Sequence, residues 1–184
     1  MLNLIKEFAI MSHENVNHKY GVLPYSYHLS MVVDVANEFI NYIPEKDRKT
    51  ILSACWMHDT IEDCRLTYND VKKVSNIGVA EIVYALSNEK GKNRKERAND
   101  KYYKGIRETK YASFVKLCDR IANAKHSKKE KSKMFEVYKK ENDNFINQLF
   151  PNNRIGNVFE VLALNMLDDI FELNITNKQP KSQS

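Results

Sequence analysis

Residues 58–63 read HDTIED: a histidine and an aspartate, two neutral residues, and two further acids. The preceding run, KTILSACWM, is largely apolar and has the composition of a protein core. Acids are buried only with a cation, a metal or a dense set of hydrogen bonds, because an unpaired buried carboxylate is costly. The motif is therefore either a solvated helix end or a functional site.

Two other apolar segments carry polar side chains of the same kind. His28 opens a segment with apolar residues at helical spacing, and Asp119 stands among apolar residues of another. Together with His58 and Asp59 they make two imidazoles and two carboxylates, a mixed donor set that suits Mn²⁺, Fe²⁺, Zn²⁺ or a similar divalent ion. Such an ion acidifies water and leaves room for a substrate, which is the chemistry of metal-assisted hydrolysis.

Each of the candidate ligands His58, Asp59 and Asp119 has a polar neighbour four residues on. These neighbours are Glu62 after His58, Asp63 after Asp59 and Asn123 after Asp119. Residues four apart lie on the same face of a helix, so the pattern predicts acid/base and hydrogen-bonding groups around the ligands. A partly desolvated carboxylate has a raised pKa, which makes Glu62 and Asp63 candidates for proton transfer.

Each of these residues also has a plainer interpretation. A single histidine such as His28 is more often a hydrogen-bonded core residue than a ligand, and Asp119 can form an ion pair with the adjacent Arg120. An adjacent His-Asp pair is common by chance. It is the joint arrangement that favours a metal site.

The elements that position these residues are predicted to be helices. Glycines and prolines are few, five and four, and the apolar residues recur with helical periodicity. We predict an all-α bundle of about eight helices without strands. They cover 28–43, 45–63, a short segment capped by Thr67, 78–88, a segment ending near Gly105, 111–125, 128–150 and 157–173.

The chain length of 184 residues is enough for one core. We predict a single domain over residues 1–175 and a disordered tail over 176–184. No apolar run approaches the ~18 residues that span a bilayer. The three cysteines are odd in number and lack zinc-ribbon spacing, which indicates a reducing, cytoplasmic location.

Charge is distributed unevenly along the chain. Residues 89–140 hold 18 lysines and arginines against 7 acids, a balance of +11, whereas the remainder carries −6. A basic middle segment suits an anionic partner, either a phosphorylated small molecule or nucleic acid. The alternative is that this segment forms solvent-exposed helices whose charges bind no partner.

The order H…HD…D on a helical chain resembles the HD superfamily of metal-dependent phosphohydrolases. It is most similar to the hydrolase domain of the RelA/SpoT type, which includes small stand-alone alarmone hydrolases. The matching stretches appear in the family's order and cover roughly residues 13–150: HKYGVLPYSYH (18–28), CWMHDTIEDCRLT (55–67), GVAEIVYALS (78–87) and FVKLCDRIAN (114–123).

The resemblance implies roles for individual residues. The metal ligands would be His28, His58, Asp59 and Asp119, with Mn²⁺ as the usual ion and Zn²⁺, Fe²⁺ or Mg²⁺ as alternatives. Glu62 and Asp63 would be the catalytic acid pair, and Asn123 would contact the substrate. The implied reaction removes pyrophosphate from the 3′ position of ppGpp or pppGpp and yields GDP or GTP.

Substrate contacts are predicted from two further positions. Where the family usually has an Arg-Lys pair that contacts the nucleotide, this chain has His18 and Lys19, which makes Lys19 a candidate. Tyr138 is a candidate for the base pocket. We expect a small-molecule nucleotide as partner and no membrane, and the oligomeric state is not predicted. A nucleotidase or other nucleotide phosphohydrolase on the same site, or a nucleic-acid-binding helical protein, remains an alternative.

Overall fold

A computed structural model describes residues 2–87 and 92–173, which form helices joined by short turns. The prediction of an all-α fold is confirmed. The helices are α1 (Leu2–Asn15), α2 (Ser26–Glu38), α3 (Glu45–Met57), α4 (Thr60–Cys64), α5 (Tyr68–Val74), α6 (Ile77–Leu86), α7 (Arg94–Arg97), α8 (Asp100–Glu108), α9 (Ala112–Lys129), α10 (Lys133–Leu149) and α11 (Val158–Phe171). Single 3₁₀ turns cover Ile40–Tyr42 and Pro151–Asn153.

The N-terminal part of the fold differs from the prediction. Helix α1 precedes the first predicted helix, and a small antiparallel hairpin follows it, with β1 (Lys19–Tyr20) paired to β2 (Leu23–Pro24). Its turn contains Gly21 at φ +63°, a conformation that glycine adopts without steric cost. No strand was predicted because two-residue strands leave no alternating pattern in the sequence.

The helix predicted over 45–63 is interrupted in the middle of the HDTIED motif. Helix α3 ends at Met57, and α4 begins at Thr60. The Thr60 hydroxyl donates to the Met57 carbonyl oxygen at 2.7 Å, which satisfies a backbone acceptor at the end of α3. The prediction that one continuous helix stacks His58 on Glu62 is therefore wrong. The backbone N–H of Asp63 still donates to the Asp59 carbonyl oxygen at 2.8 Å.

Helix α9 is the centre of the bundle and packs against α2, α3, α6, α8, α10 and α11. Phe114, Leu117 and Ile121, the three apolar residues predicted to be in step, are fully buried on it. The Phe114 ring meets Phe39 and Phe159 edge-on, with ring centroids 6.1 and 4.9 Å apart. Asp119 lies on the same helix, and only 14% of its side-chain surface is exposed.

The other helix boundaries differ from the predicted ones by a few residues. Thr67 caps α5 as predicted, since it accepts from the Asp70 N–H while the Asp70 carboxylate accepts from the Thr67 N–H. Among the described residues, no helix is long and apolar enough to cross a membrane. The single domain over 1–175 stays a prediction, and the tail predicted over 176–184 lies outside the described residues.

Replacing Phe114 with alanine should lower the free energy of unfolding by about 3–5 kcal/mol, because it opens a cavity in the centre of the bundle. Urea unfolding followed by circular dichroism measures the change. Tyr42→Ala is the matched control, since that ring is 56% exposed and its loss should cost less than about 1 kcal/mol. Equal losses in the two variants would contradict the central position of α9.

Candidate metal centre

Three separate parts of the fold bring the predicted ligands together. His28 lies in the first turn of α2, His58 and Asp59 form the break between α3 and α4, and Asp119 is near the middle of α9. Helix α2 packs against both α3 and α9. The two imidazoles are almost fully buried, at 1% exposure for His28 and 2% for His58.

The candidate ligand atoms of His28, His58 and Asp119 all lie within 4.8 Å of one another. His28 Nε2 lies 3.3 Å from both His58 Nε2 and the Asp119 Oδ1 atom. Asp59 Oδ2 lies 2.9 Å from His58 Nε2 and 3.8 Å from His28 Nε2. Ligands in a tetrahedral site with bonds of about 2.0–2.1 Å are about 3.3 Å apart, so His28, His58 and Asp119 could hold a divalent metal ion. Asp59 lies against both imidazoles at the separations just given.

The protonation of His58 supports this fit. Its Nδ1 is 2.9 Å from the carbonyl oxygen of Cys55, and because a carbonyl only accepts, Nδ1 carries the proton. The lone pair of Nε2 then faces the Asp59 carboxylate, an arrangement that requires a cation or a further proton between them. Burial lowers the pKa of His58, but the Asp59 and Asp119 carboxylates raise it to about 9. The cluster thus favours positive charge.

A layer of polar groups holds Asp119 in place. Asn123 Nδ2 donates to Asp119 Oδ1 at 2.6 Å, and Lys116 Nζ donates to Oδ2 at 3.1 Å. Burial raises the pKa of Asp119, but the Lys116 charge and the two histidines bring it well below its usual range. The alternative ion pair with Arg120 is not formed, since Arg120 faces Glu141 at 3.4 Å.

Two tyrosines tie the hairpin segment to the cluster. The Tyr20 ring stacks on His28 with centroids 4.9 Å apart, and its hydroxyl donates to Asn123 Oδ1 at 2.8 Å. The Tyr25 hydroxyl donates to Asp59 Oδ2. Metal-binding side chains are commonly oriented by such hydrogen bonds, which fix the geometry of the ligand atoms.

Helix α4 places the predicted acid pair beside the cluster. Asp63 Oδ2 lies 3.5 Å from His18 Nδ1, and Glu62 Oε1 lies 4.0 Å from the Arg97 guanidinium. Burial, together with the negative charges of Asp59 and Glu62, raises the pKa of Asp63 to about 7. A carboxyl group with this pKa can both accept and return a proton near neutral pH.

A basic cavity of about 770 Å³ adjoins the cluster. Its lining includes the cationic side chains of Arg97, Lys116 and Arg120 and the rings of Tyr102 and Tyr103. Lys116 connects the two, because it lines the cavity and contacts Asp119. The volume lies within the range of small-molecule sites, and the charge suits an anionic ligand.

The other predicted substrate contacts lie at different depths. Asn123 is bonded to Asp119, as described. Tyr138 is half-buried on α10, with its ring 4.9 Å from the guanidinium carbon of Arg120. Lys19 is exposed on β1. Neighbouring residues of a strand face opposite sides, so Tyr20, not Lys19, turns toward the cluster.

Sequence reasoning missed several residues that shape the site: Tyr20, Tyr25, Arg97 and Lys116. Only Lys116 had a local signal, since it stands three residues before Asp119 and therefore on the same face of α9. Tyr20 reaches the cluster from a hairpin that the sequence did not reveal, and Tyr25 does so from the residue between that hairpin and α2.

Known proteins resemble the chain in sequence and in fold. The chain is similar to guanosine-3′,5′-bis(diphosphate) 3′-pyrophosphohydrolase MESH1 of Danio rerio, with 27% identity over 117 residues, which are 63% of each protein. The match thus spans slightly less than two thirds of that relative. No protein-family model matches the chain.

A solved structure gives the broader match. It belongs to a metazoan ortholog of SpoT described as hydrolysing ppGpp and playing a role in starvation responses. It superposes with a TM-score of 0.69 and 19% identity over 94% of each chain. The chain has the fold of this SpoT ortholog. The resemblance to RelA/SpoT-type HD hydrolases drawn from the motifs is confirmed.

Asp119→Asn should weaken Mn²⁺ binding by roughly 10-fold or more, because it removes a negative charge from the cluster while keeping the side-chain shape. Isothermal titration calorimetry measures the affinity, and circular dichroism checks that the variant is folded. Asp143→Asn, at an exposed position on α10, is the control and should bind like the unmodified protein. Unchanged affinity in folded Asp119→Asn would remove Asp119 from the ligand set.

Proposed function

We propose that the protein is a metal-dependent phosphohydrolase that removes the 3′-pyrophosphate from ppGpp or pppGpp and releases GDP or GTP. The observation that carries the proposal is the convergence of His28, His58, Asp59 and Asp119 beside the basic cavity. The similarity to a relative named as a 3′-pyrophosphohydrolase supports the same substrate.

The proposed ligands are these two histidines and two aspartates, and the proposed ion is Mn²⁺, with Zn²⁺, Fe²⁺ and Mg²⁺ as alternatives. A bound divalent ion supplies a Lewis acid that polarises phosphate oxygens and acidifies water. The chain itself contributes the orientation of the ligands through Tyr25, Asn123 and Lys116.

Proton transfer is assigned to helix α4. Hydrolysis adds water across the bond between phosphorus and the ribose 3′ oxygen, so one proton leaves the attacking water and one reaches the departing oxygen. Glu62 and Asp63 follow the proposed ligand Asp59 within one helical turn, which supports assigning these two tasks to them.

The basic cavity is assigned to the substrate's phosphates and base. Two diphosphate groups carry several negative charges, and the cavity offers the cations Arg97 and Lys116 to them. Arg97 is next to Glu62, and Lys116 is next to Asp119. Tyr102 and Tyr103 supply aromatic surface in this cavity. The further proposed substrate contacts are Tyr138, Asn123 and Lys19. A cytoplasmic location is proposed from the cysteine usage; all three cysteines are free and buried.

The decisive assay incubates the protein and Mn²⁺ with ppGpp, pppGpp, nucleoside mono- and triphosphates and deoxynucleotides, and measures pyrophosphate and phosphate separately. Pyrophosphate from ppGpp and pppGpp is the expected product. Phosphate from monophosphates would instead favour a nucleotidase on the same site. A protein that ignores EDTA and loses nucleic-acid affinity steeply with salt would favour the binding alternative.

Glu62→Gln and Asp63→Asn should each lower kcat by about 10²–10⁴-fold, the usual contribution of a general acid or base. Mn²⁺ affinity of the first centre should stay within about threefold, because neither residue is among its four proposed ligands. Glu108→Gln, an exposed residue on α8, should keep full activity. If the α4 variants lose metal together with activity, their role is in binding the ion.

Lys116→Met should raise KM for ppGpp and also weaken the metal cluster, since it removes both a cation of the cavity and the partner of Asp119. Arg97→Met removes only a cavity cation next to Glu62 and should raise KM with unchanged Mn²⁺ affinity. Steady-state kinetics and calorimetry on both variants separate the two effects. An unchanged KM in both would place the substrate elsewhere.

A further inference from the structure

A second group of metal-ligating side chains lies next to the centre described above. It consists of His13 at the end of α1, His18 before β1, and Asp63 on α4. One ligand atom from each lies within 4.8 Å of those of the other two. None of these residues is among the proposed ligands of the first centre.

The separations suit a small divalent ion. His13 Nδ1 and His18 Nδ1 are 3.1 Å apart, and His18 Nδ1 is 3.5 Å from Asp63 Oδ2. Both values bracket the separation of about 3.3 Å expected between ligands of tetrahedral Zn²⁺. Two imidazoles and one carboxylate form a common three-residue zinc set, which leaves a fourth position for water.

Local backbone structure holds the two imidazoles together. At the end of α1 the His18 N–H donates to the His13 carbonyl oxygen, and the Asn17 N–H donates to that of Glu14, both at 2.9 Å. Asn17 adopts φ 52°, so these bonds form the Schellman motif that commonly ends a helix. The motif turns the chain back and brings residue 18 over residue 13.

Aromatic stacking fixes the ring orientations. The Tyr25 ring stacks on His18 at 3.9 Å and on His13 at 4.4 Å between centroids, with interplanar angles of 16° and 25°. Its hydroxyl donates to Asp59 of the first centre. The ligands are therefore held before a cation arrives, which lowers the entropic cost of binding, and Tyr25 joins the two groups.

The group is also reachable from solvent. His13 is buried, but the side chains of His18 and Asp63 are 31% and 29% exposed. Both line a groove of about 520 Å³ together with Asn15 and Asn17. A cation can enter through this groove and keep water in its remaining coordination position.

We propose that His13, His18 and Asp63 form a second binding site for a divalent transition-metal ion of the Zn²⁺ type, adjacent to the first centre. The site does not depend on the proposed reaction. One consequence does rest on the proposed function: a cation held by Asp63 occupies the carboxylate assigned to proton transfer, so excess Zn²⁺ inhibits the enzyme.

The test is the number of Zn²⁺ ions bound per chain, measured by calorimetry and by elemental analysis after gel filtration. The unmodified protein should bind two, His18→Gln one, and Asp119→Asn should retain the second site. His126→Gln changes a histidine outside both groups and should leave the count at two. Co²⁺ absorption spectra of the same set report directly on imidazole coordination.

One ion per unmodified chain, or an unchanged count in folded His18→Gln, overturns the proposal. His18 is partly exposed, so its replacement tests the site without opening the core, and His13→Gln provides a second variant.

Inhibition is measured separately, by adding Zn²⁺ to the Mn²⁺-loaded protein. His18→Gln should need at least ~10-fold more Zn²⁺ for the same fractional loss of its own rate. Because the ion count needs no turnover, it stands even if the proposed reaction fails.

Discussion

The carboxylate of Asp119 in the middle of the central helix is the constraint on which the site depends. Its helix neighbours Phe114, Leu117 and Ile121 are fully buried, so the same helix that builds the core carries a charge into it. A charge in that position must be compensated by nearby groups. Lys116 takes one oxygen, while Asn123 and His28 meet the other. The layer around Asp119 thus both stabilises the fold and orients a ligand.

The break between α3 and α4 determines where the side chains of His58 and Asp59 point. Successive residues on a continuous helix point about 100° apart, which directs an adjacent histidine and aspartate away from each other. Here the helix stops at Met57, and Thr60 and His58 satisfy the carbonyl oxygens of Met57 and Cys55. His58 Nε2 and Asp59 Oδ2 then lie 2.9 Å apart. The second of these hydrogen bonds, from His58 Nδ1 to the Cys55 carbonyl oxygen, also sets the tautomer of His58.

Aromatic rings link the outer parts of the molecule to this centre. Tyr20 stacks on His28 and bonds to Asn123, so the hairpin contacts α2 and α9 at once. Tyr25 stacks on His13 and His18 while its hydroxyl reaches Asp59. Tyr25 therefore contacts both groups of candidate ligands.

The sequence by itself determined the helical class and the cap at Thr67, and it indicated the types of the candidate ligands, because these follow from periodicity, local hydrogen bonding and the cost of burying charge. It also indicated His28, the 58–59 pair and Asp119 as one group. Only the tertiary structure decided that the cation bonded to Asp119 is Lys116. It also brought His13, His18 and Asp63 together, which the sequence did not indicate. Helical periodicity tells which residues share a face, but not which faces of distant helices meet. Nor does it reveal a two-residue strand or a broken helix turn, whose stability comes from contacts with the rest of the chain.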